Sequence, residues 1–550
     1  MTRNPTPNSL YYGDCLEIMH DWPAECIDLI YLDPPFNSKA NYNQTFGRGN
    51  GVPAQVRAFT DTWIWGETAQ QRLERLRRAV NHPAHKAIRG LTEVIGECGM
   101  LAYLTYMAER LTEMKRVLRD TGSIYLHCDS AASHYLKLLM DSIFGAGNFQ
   151  NEIVWRRTNA HPLSIRKFDA VTDSILFYTM GSKFTFHGVK IPMTETQIED
   201  LYHLSDDRGI FTSTDLTGGK QGGEAAYQPF KGILPSAGRA WAPPALSKLP
   251  DWAQTELKEN YATLNQLEKC EELDRIGLIH WTSNGRPRLK RYLQGTPEQS
   301  LTGLWTDISP VGRSESLGYD TQKPLALLER IVQASSSPGD IVCDPFCGGG
   351  TTLDAAHRNG RRWLGIDVSP RAIDLIKYRR FKDASIPAHG IPEDMEAARL
   401  MLKDNPFDFE AWAVTRIEGL APNQTKVGDG GIDGRGRIYD DIDGETGLII
   451  AQVKGSGYSA ATLRDFLHVI EREKATAGLF ITLNKTTTKN ALTQAAALGT
   501  YTIGVSSFPR LQFWSIAEHL ATPRIKPMLP PMADPDTGKA IQRDLFSTNG

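Results

Sequence analysis

The chain has 550 residues, of which 41% are hydrophobic and 23% are charged, and this composition excludes disordered, collagen-like and fibrous classes. The 61 Lys and Arg residues against 64 Asp and Glu leave a formal charge of -3, which gives no indication of a nucleic-acid partner and is typical of a metabolic enzyme. The 7 cysteines lack the paired spacing of zinc sites or disulfide frameworks and favour a reducing cytoplasm, and no apolar run reaches the roughly 20 residues of a membrane span.

Residues 1–180 alternate between strand and helix patterns. The apolar pattern predicts a strand at 27–32, a helix at 101–119 and another strand at 122–127. Such alternation predicts an α/β fold with a mainly parallel sheet and helices on both faces. At residues 181–303 the periodicity weakens, and glycine, proline and tryptophan are mixed irregularly, which indicates an inserted, loop-rich region.

The alternation resumes at residues 304–385. The predicted elements there are a helix at 325–334, a strand at 340–343, a helix at 351–359 and a strand at 362–366. A polar linker is predicted at 386–403, followed by a separate domain at 404–522. The proline-containing residues 523–550 are predicted to form a flexible tail.

A glycine-rich loop lies between the predicted strand and helix, with the sequence Asp344-Pro345-Phe346-Cys347-Gly348-Gly349-Gly350-Thr351. Glycines permit a tight turn and close approach to a ligand, and the helix amino terminus offers N–H groups to a negatively charged one. Asp367 ends the next strand, where a carboxylate can bind ribose hydroxyls. The pattern suggests a nucleotide-like cofactor, but a loose glycine pattern alone is more often a simple α/β turn.

A second pattern, Asp33-Pro34-Pro35-Phe36-Asn37, directly follows the strand at 27–32. The two prolines stiffen the chain and remove N–H groups, so the carboxylate and the carbonyls are held as hydrogen-bond acceptors. Acceptors suit an amino group, and the ring of Phe36 offers a flat face on which a base can stack. A stiffened turn would explain this pattern alone, but the two patterns together favour a catalytic site.

On these residues the sequence resembles the amino-methylating DNA methyltransferases that use S-adenosylmethionine. The family's catalytic tetrapeptide (Asp/Asn/Ser)-Pro-Pro-(Tyr/Phe) is matched by Asp33, Pro34, Pro35 and Phe36, and its cofactor loop by Phe346, Gly348 and Gly350. The similarity covers about residues 9–178 and 302–380. Because the catalytic tetrapeptide precedes the cofactor loop, the order resembles the permuted β class, in which the insert is the target-recognition region.

The resemblance implies methyl transfer from S-adenosylmethionine to the exocyclic amine of a base flipped out of double-stranded DNA. Asp33 and the carbonyl of Pro34 would accept hydrogen bonds from the amine, without a covalent intermediate. An Asp at the first position is commoner in family members that act on adenine N6, and Ser in those that act on cytosine N4. Adenine is therefore expected, with N4-cytosine as the alternative.

The resemblance also implies a set of cofactor-binding residues: Asp14, Lys323, Asp344, Phe346, Gly348, Gly350, Thr351 and Asp367. The segment Tyr12-Gly13-Asp14-Cys15 resembles the one that helps to place the target amine. Gln322-Lys323-Pro324 resembles the helix start that touches the methionine end of the cofactor. Within the insert a basic run predicts DNA contacts, although solvated surface charge is an equally common explanation; its residues are Arg286, Arg288, Lys290 and Arg291.

The carboxyl-terminal domain resembles the Mrr-like branch of the PD-(D/E)xK nucleases. Gly428-Asp429-Gly430-Gly431-Ile432-Asp433-Gly434 precedes an apolar strand that runs into Gln452-Val453-Lys454. The resemblance makes Asp433 the main Mg²⁺ ligand, Gln452 the second ligand, Lys454 the residue beside water or phosphate, and Glu410 a helical acid completing the site. Gln in place of an acid removes a negative charge and weakens metal binding, so a noncatalytic or DNA-binding remnant is the alternative.

The leading hypothesis is a cytoplasmic, site-specific DNA methyltransferase of the β class, with a nuclease-like domain for restriction or defence. A modification-sensing nuclease whose methyltransferase half only binds DNA is a second hypothesis. A third makes the carboxyl-terminal domain a binding module that tethers the enzyme. A homodimer is compatible with each.

Overall fold

The computed structural model describes residues 3–35, 63, 65–159, 168–219, 223–257, 259–312, 314–317, 319, 321–423, 430–440, 444–455, 457, 459–485, 488–503, 505–522 and 526–533. Phe36 and residues 428–429, which belong to the predicted sites, lie outside the described residues. The chain divides into two compact units. One comprises Met1–His187 together with Thr302–Gly550, and the other comprises Gly188–Leu301.

The amino-terminal part of the first unit contains five strands and five helices among its described residues. The strands are β1 (Ser9–Tyr12), β2 (Ile27–Leu32), β3 (Leu118–Cys128), β4 (Phe149–Arg156) and β5 (Thr172–Thr179). The helices are α1 (Cys15–His20), α2 (Glu67–Arg78), α3 (His85–Ile95), α4 (Gly99–Val117) and α5 (Ser133–Phe144). The strand predicted at 27–32 is confirmed. The helix predicted at 101–119 ends instead at Val117, because the backbone turns extended at Leu118 and enters β3.

The second unit, Gly188–Leu301, is built from short elements. Its strands are β6 (Lys190–Pro192), β7 (Leu204–Asp206), β8 (Gly209–Asp215), β9 (Thr217–Gly219), β10 (Arg239–Trp241), β11 (Ile279–Trp281), β12 (Pro287–Tyr292) and β13 (Glu298–Ser300). Its helices are α6 (Glu195–Leu201), α7 (Asp251–Leu257) and α8 (Gln266–Arg275). An antiparallel sheet of order β11-β12-β8-β7 and a core containing Trp241 and Leu273 make this region more regular than a loop-rich insert. Strands this short carry too few residues for periodicity to reveal them.

The chain then returns to the first unit. The elements are β14 (Leu304–Trp305), α9 (Leu325–Ser335), β15 (Ile341–Asp344), α10 (Thr351–Arg358), β16 (Arg362–Asp367), α11 (Pro370–Asp374) and β17 (Ala388–His389). The helices and strands predicted at 325–334, 340–343, 351–359 and 362–366 agree with these to within one residue. A wide π-helical turn, Leu375–Arg380, extends α11.

A nine-stranded mixed sheet of order β14-β4-β5-β3-β2-β15-β16-β1-β17 joins these elements. β2 pairs in parallel with β3 and β15, and β15 pairs in parallel with β16, whereas β5 runs antiparallel to β3 and β4. The chain proceeds from β2 to β3 in one direction and from β15 to β16 in the other. Open α/β sheets bind ligands at the carboxyl ends of the strands where the order reverses, which here is between β2 and β15.

The carboxyl-terminal region forms its own sheet within the first unit. Its helices are α12 (Met395–Asp404), α13 (Pro406–Thr415), α14 (Ala460–Arg472), α15 (Lys489–Ala497) and α16 (Ile516–Ala521). Its strands are β18 (Leu420–Pro422), β19 (Gly434–Asp440), β20 (Gly444–Lys454), β21 (Ala477–Thr482), β22 (Thr500–Ile503), β23 (Ser506–Pro509) and β24 (Leu511–Ser515). Five of them form a sheet of order β18-β19-β20-β21-β24, and two separate hydrophobic clusters cover its residues, one around Trp412 and one around Phe466.

Two segments predicted to be irregular are partly ordered. The linker at 386–403 contains most of α12, because its apolar side places Ala398 in the core of the carboxyl-terminal domain. Within the tail, residues 526–533 pack on that domain: Leu529 and Met532 are buried, and the N–H of Tyr439 donates to the carbonyl of Pro531 at 2.8 Å. Proline lacks an N–H but keeps its carbonyl acceptor, so a proline-rich segment can still be bonded to a strand edge.

The 7 cysteines are all free thiols, in agreement with the prediction that they form no disulfides. Among the described helices, none has both the length and the apolar character needed to cross a membrane.

Candidate functional site

The catalytic tetrapeptide and the glycine loop begin at the carboxyl ends of neighbouring strands. In the parallel pairing of β2 with β15, Leu29 lies opposite Val342 and Ile30 lies opposite Cys343. Asp33 therefore follows β2 at the same edge of the sheet at which the loop follows β15. This edge is the point where the strand order reverses, so the structure brings the two predicted sites together in one crevice.

Asp33 forms an ion pair with Lys323, although 290 residues separate them along the chain. The ammonium of Lys323 donates to Oδ2 of Asp33, and both side chains are largely buried. Oδ1 of Asp33 is buried and has no hydrogen-bond partner within the part of the chain that the structure describes. A buried carboxylate oxygen without a donor carries a desolvation cost that an incoming N–H group can relieve.

The glycine loop bonds several of its own N–H groups internally. Phe346 donates to Oδ1 of Asp344 at 3.0 Å, Gly348 donates to Oδ2 of Asp367 at 2.8 Å, and Gly350 donates to the carbonyl of Cys347 at 2.6 Å. The loop thus differs from the expected cradle of N–H groups for an anion, because two carboxylates and one backbone carbonyl already accept from these donors. Carboxylates fit a cofactor that carries ribose hydroxyls and positive charge, as S-adenosylmethionine does, better than they fit phosphates.

Gly348 and Gly350 have positive φ angles of 46° and 72°, in the left-handed region that favours glycine. A Cβ on Gly350 would lie 2.6 Å from Cγ1 of Ile376. The loop is further fastened by Arg380, which donates to the carbonyl of Gly349 and to Oγ1 of Thr351, a residue buried at the start of α10. Sequence reasoning did not identify Arg380, since nothing in its local pattern distinguishes it from a surface arginine.

We expect Gly350→Ala to lower the stability of the protein by about 2 to 3 kcal/mol, or roughly 5 to 10 °C in Tm, because it combines left-handed strain with a steric clash. Gly349→Ala is the matched control, since its nearest neighbour would be 3.6 Å away, at ordinary contact distance. Thermal denaturation of both variants measures the effect. Equal Tm values for the two variants would show that the loop relaxes without cost.

Burial raises the pKa of Asp344 to about 7 and that of Asp367 to about 6, from an ordinary value of 3.8. Asp344 is buried below the loop, where the hydroxyl of Thr352 donates to its Oδ2 at 2.6 Å. Because the folded state holds protons that the unfolded chain has already lost, the free energy of unfolding falls as the pH rises from about 4 to about 7.

For the cofactor-free protein we therefore expect Asp344 to contribute a loss of about 2 to 4 kcal/mol across this window. Thermal denaturation between about pH 5 and pH 8 measures the slope. Asp344→Asn cannot titrate at this position and should flatten the profile relative to that of the wild type. A variant profile parallel to that of the wild type would contradict the assignment.

The segment Tyr12-Gly13-Asp14-Cys15 lies beside the end of β16. β1 pairs with β16, with Tyr12 opposite Asp367, and the N–H of Gly13 donates to the carbonyl of Asp367 at 3.0 Å. Two strands separate β1 from β2. The segment therefore lies beside the strand that ends at Asp367, and its roles in binding the cofactor and in placing the target amine stay predictions.

A buried polar chain lies behind Asp33. The hydroxyl of Tyr31 is 2.8 Å from Nδ1 of His127, whose Nε2 is 3.1 Å from Oδ2 of Asp173. These three residues come from β2, β3 and β5, and each is almost completely buried. Burial, with a smaller contribution from Asp33, raises the pKa of Tyr31 well above its usual value. Sequence reasoning missed this chain; the available signal was a histidine that directly follows the apolar run Ile124-Tyr125-Leu126 of β3.

The basic run of the insert lies on and before β12. Nε of Arg288 donates to Oγ of Ser213 at 3.0 Å, and the ammonium of Lys290 is 2.7 Å from Asp206. Arg286 and Arg291 are exposed. Nη1 of Arg286 donates to Oγ of Ser236 at 3.4 Å, so three of the four predicted DNA-binding residues have protein partners. The exposed Arg291 is the better placed for phosphate.

The carboxyl-terminal site assembles where β19 and β20 pair. The N–H of Asp433 donates to the carbonyl of Ala451 at 2.9 Å, and its Oδ2 accepts from the N–H of Val453 at 2.7 Å. Gln452 is buried; its Nε2 donates to Gly431 at 3.2 Å, and its Oε1 has no partner among the described residues. Lys454 follows two residues later, on the same face of the strand.

An amide oxygen beside a carboxylate suits the oxygen preference of Mg²⁺, and the unpartnered Oε1 of Gln452 fits that role. Glu410 lies on α13, a helix that packs against β20. Within the described ranges no group of three or more His, Cys, Asp and Glu side chains could hold a metal. The structure places Asp433 beside the strand segment that contains Gln452 and Lys454, and Glu410 on an adjoining helix; their roles at a metal site stay predictions.

Comparison with known proteins matches the two regions that contain these sites to two families. Residues 27–378, well over half of the chain, match the family model described as DNA methylase, and the chain belongs to this family. Residues 402–511 match the model described as restriction endonuclease. The predicted family resemblances and fold class are thereby confirmed: a methyltransferase α/β sheet with a carboxyl-terminal restriction-endonuclease-like domain.

The relatives include the Type II methyltransferase M.EcaI of Enterobacter cloacae, 34% identical over 286 residues, covering 50% of this chain and 57% of that protein. The StyLTI Mod subunit, from a Type III restriction-modification enzyme of Salmonella typhimurium, is 24% identical and covers 64% of this chain and 50% of that protein. The chain thus spans about half the length of these relatives. Among solved structures, the chain is similar to the putative DNA modification methylase TTHA0409 of Thermus thermophilus, complexed with S-adenosylmethionine. The two are 17% identical, the match covers 69% of this chain and 96% of that chain, and the TM-score is 0.30.

Proposed function

We propose that the protein is a site-specific DNA methyltransferase that transfers a methyl group from S-adenosylmethionine to the exocyclic amine of a flipped base. The observation that carries the proposal is Oδ1 of Asp33, which is buried and has no hydrogen-bond partner among the described residues, at the edge of the sheet shared with the glycine loop. Membership in the DNA methylase family supports it. S-adenosylmethionine, when bound, supplies an electrophilic methyl group on a sulfonium.

In this proposal the residues of the crevice orient and polarise the amine. Oδ1 of Asp33 and the carbonyl of Pro34 accept its two N–H groups, which increases the electron density on nitrogen. Lys323 holds Oδ2 of Asp33, so the carboxylate keeps one orientation. Asp14, Lys323, Asp344, Phe346, Gly348, Gly350, Thr351 and Asp367 hold the cofactor. Most of the rate enhancement then comes from positioning the reacting atoms.

Adenine N6 is the proposed target, on the basis of Asp at the first position of the tetrapeptide; N4-cytosine is the alternative. Single-molecule sequencing of DNA from a host expressing the protein distinguishes N6-methyladenine from N4-methylcytosine and reveals the recognition sequence in the same experiment. Expression of Asp33→Ala in the same host is the control. Unmodified DNA from the wild-type host would contradict the methyltransferase proposal.

The carboxyl-terminal domain is proposed to be a Mg²⁺-dependent DNA endonuclease with Asp433 and Gln452 as metal ligands, Lys454 beside the phosphate and Glu410 completing the site. The support is the convergence of Asp433, Gln452 and Lys454 at one end of β20, together with the restriction endonuclease match. Such a pair of activities suits restriction-modification or defence. Metal-dependent cleavage without any methylation would favour the modification-sensing nuclease, and neither nicking nor cleavage under any condition would favour a DNA-tethering module.

We further propose how the chain is divided into domains and which partners it binds. The proposed domains are residues 1–180 and 304–385 for methyl transfer, 181–303 for target recognition and 404–522 for the nuclease-like part. The partner is double-stranded DNA, contacted in the insert by Arg286, Arg288, Lys290 and Arg291, and the compartment is the cytoplasm. A homodimer is tested by light scattering of the purified protein with and without DNA.

A further inference from the structure

Arg110 is a fully buried arginine in the middle of α4, with a side chain only 2% exposed. A guanidinium keeps its charge at any accessible pH, so burying one requires an anionic partner. Nη2 of Arg110 donates to Oδ2 of Asp14, and the two form an ion pair. Nη1 donates to the carbonyl of Tyr106 at 3.0 Å, and the guanidinium lies 3.2 Å from the centre of the Tyr106 ring.

Asp14 is held at both of its carboxylate oxygens. Oδ1 accepts from the N–H of Leu16 at 2.9 Å, as the amino-terminal cap of α1, while Oδ2 accepts from Arg110. The side chain of Asp14 is still 35% exposed, and each oxygen retains a second lone pair. The carboxylate is therefore fixed in orientation by the protein and still partly exposed, and it follows the strand that pairs with β16, whose last residue is Asp367.

The charged residues near Arg110 have different partners. Glu109, the residue adjacent to Arg110 in sequence, is largely buried and pairs with Arg72 and Arg75. Burial and the charge of Arg110 lower the pKa of Arg72, so two cations share this corner of the domain. The buried cation is directed at Asp14, which follows the strand paired with β16.

We propose that Arg110 is a positioning residue for cofactor binding, which holds the Asp14 carboxylate in the orientation that accepts a hydrogen bond from S-adenosylmethionine. The inference rests on the proposed function, because it assigns Asp14 to the cofactor. A bidentate, rigid guanidinium can bind Asp14 and the Tyr106 carbonyl together, whereas a lysine ammonium is a single point charge on a flexible stem.

The test measures the Kd for S-adenosylmethionine by calorimetry, and KM against kcat in methyl transfer, for the full chain. Arg110→Lys keeps the charge and should raise the Kd and KM for the cofactor about tenfold while changing kcat by less than about twofold. Asp14→Asn should raise the Kd by a similar factor. The double variant should be no worse than Asp14→Asn alone, because Arg110 acts through Asp14. Arg75→Lys, which replaces an outward-facing arginine of α2, is the matched control and should bind the cofactor as the wild type does.

An unchanged Kd in folded Arg110→Lys, or additive effects in the double variant, would overturn the inference. Arg110→Met is a second probe of the same pair, and a lowered Tm with an unchanged Kd would show a purely structural role. If Arg110→Met does not fold, the charge-keeping lysine variant decides the outcome. Absence of cofactor binding in the wild type would contradict the proposed function itself, which distinguishes the two failures.

Discussion

Replacing Asp33 by alanine is expected to reduce methyl transfer by at least about 10³-fold while leaving the protein folded. Oδ1 of Asp33 is the buried acceptor proposed for the target amine, and Oδ2 holds Lys323 in the crevice. Alanine removes both functions at once, because it leaves the amine without an acceptor and the ammonium without its ion-pair partner. Transfer of a labelled methyl group from S-adenosylmethionine to DNA measures the loss.

Two further variants separate the functions of the two oxygens. Asp33→Asn keeps an acceptor oxygen but loses the negative charge that binds Lys323, so we expect an intermediate rate. Asp21→Ala, which removes an exposed carboxylate at the end of α1, is the control and should transfer methyl groups at the wild-type rate. Near-UV circular dichroism checks that each variant is folded. Wild-type activity in Asp33→Ala would refute the proposed catalytic role.

Removal of Lys454 or of the Asp433 charge is expected to reduce Mg²⁺-dependent DNA cleavage by at least about 10²-fold without affecting methylation. Oδ2 of Asp433 accepts from the N–H of Val453, which lies between Gln452 and Lys454 in sequence, and these groups are proposed to act on the same phosphate. Lys454→Ala and Asp433→Asn are compared with Lys489→Ala, which alters an exposed lysine of α15. Cleavage of plasmid DNA, unmethylated and methylated in parallel, is the measurement.

A substitution at Gln452 is expected to strengthen Mg²⁺ binding, in contrast to the two substitutions above. Its Oε1 is buried without a partner, and a glutamate of the same length would place a negative charge there. We expect Gln452→Glu to lower the Mg²⁺ concentration needed for half-maximal cleavage about tenfold, because Mg²⁺ prefers carboxylate ligands. Cleavage that is unaffected by all three substitutions would show that the activity, if present, belongs to another site.

The near-neutral charge of the chain pointed away from DNA, and this first inference is wrong for a member of the DNA methylase family. The charge of the whole chain averages over domains. Carboxylates of the two candidate sites, such as Asp33, Asp367 and Asp433, offset arginines and lysines such as those of β12. Local motifs therefore carried more information about the partner than the total charge did.

The family, the fold class and several strands and helices that carry the candidate sites follow from local patterns in the sequence. β2, β15, α10 and β16 were predicted to within one residue, because apolar strands and the glycine or proline residues that follow them are local signals. The short strands of the insert and the helix α12 escaped detection, since their apolar patterns span too few residues or lie in polar surroundings.

The contacts between side chains that are distant in the sequence follow only from the tertiary fold. The Lys323–Asp33 pair spans 290 residues, and the Arg110–Asp14 pair joins α4 to the end of β1. The pairing of β1 with β16 likewise places Asp14 next to the strand that ends at Asp367. Strand order and register set these contacts, and they arise from packing between distant segments, whereas hydrophobic periodicity and turn residues report only on the segment that contains them.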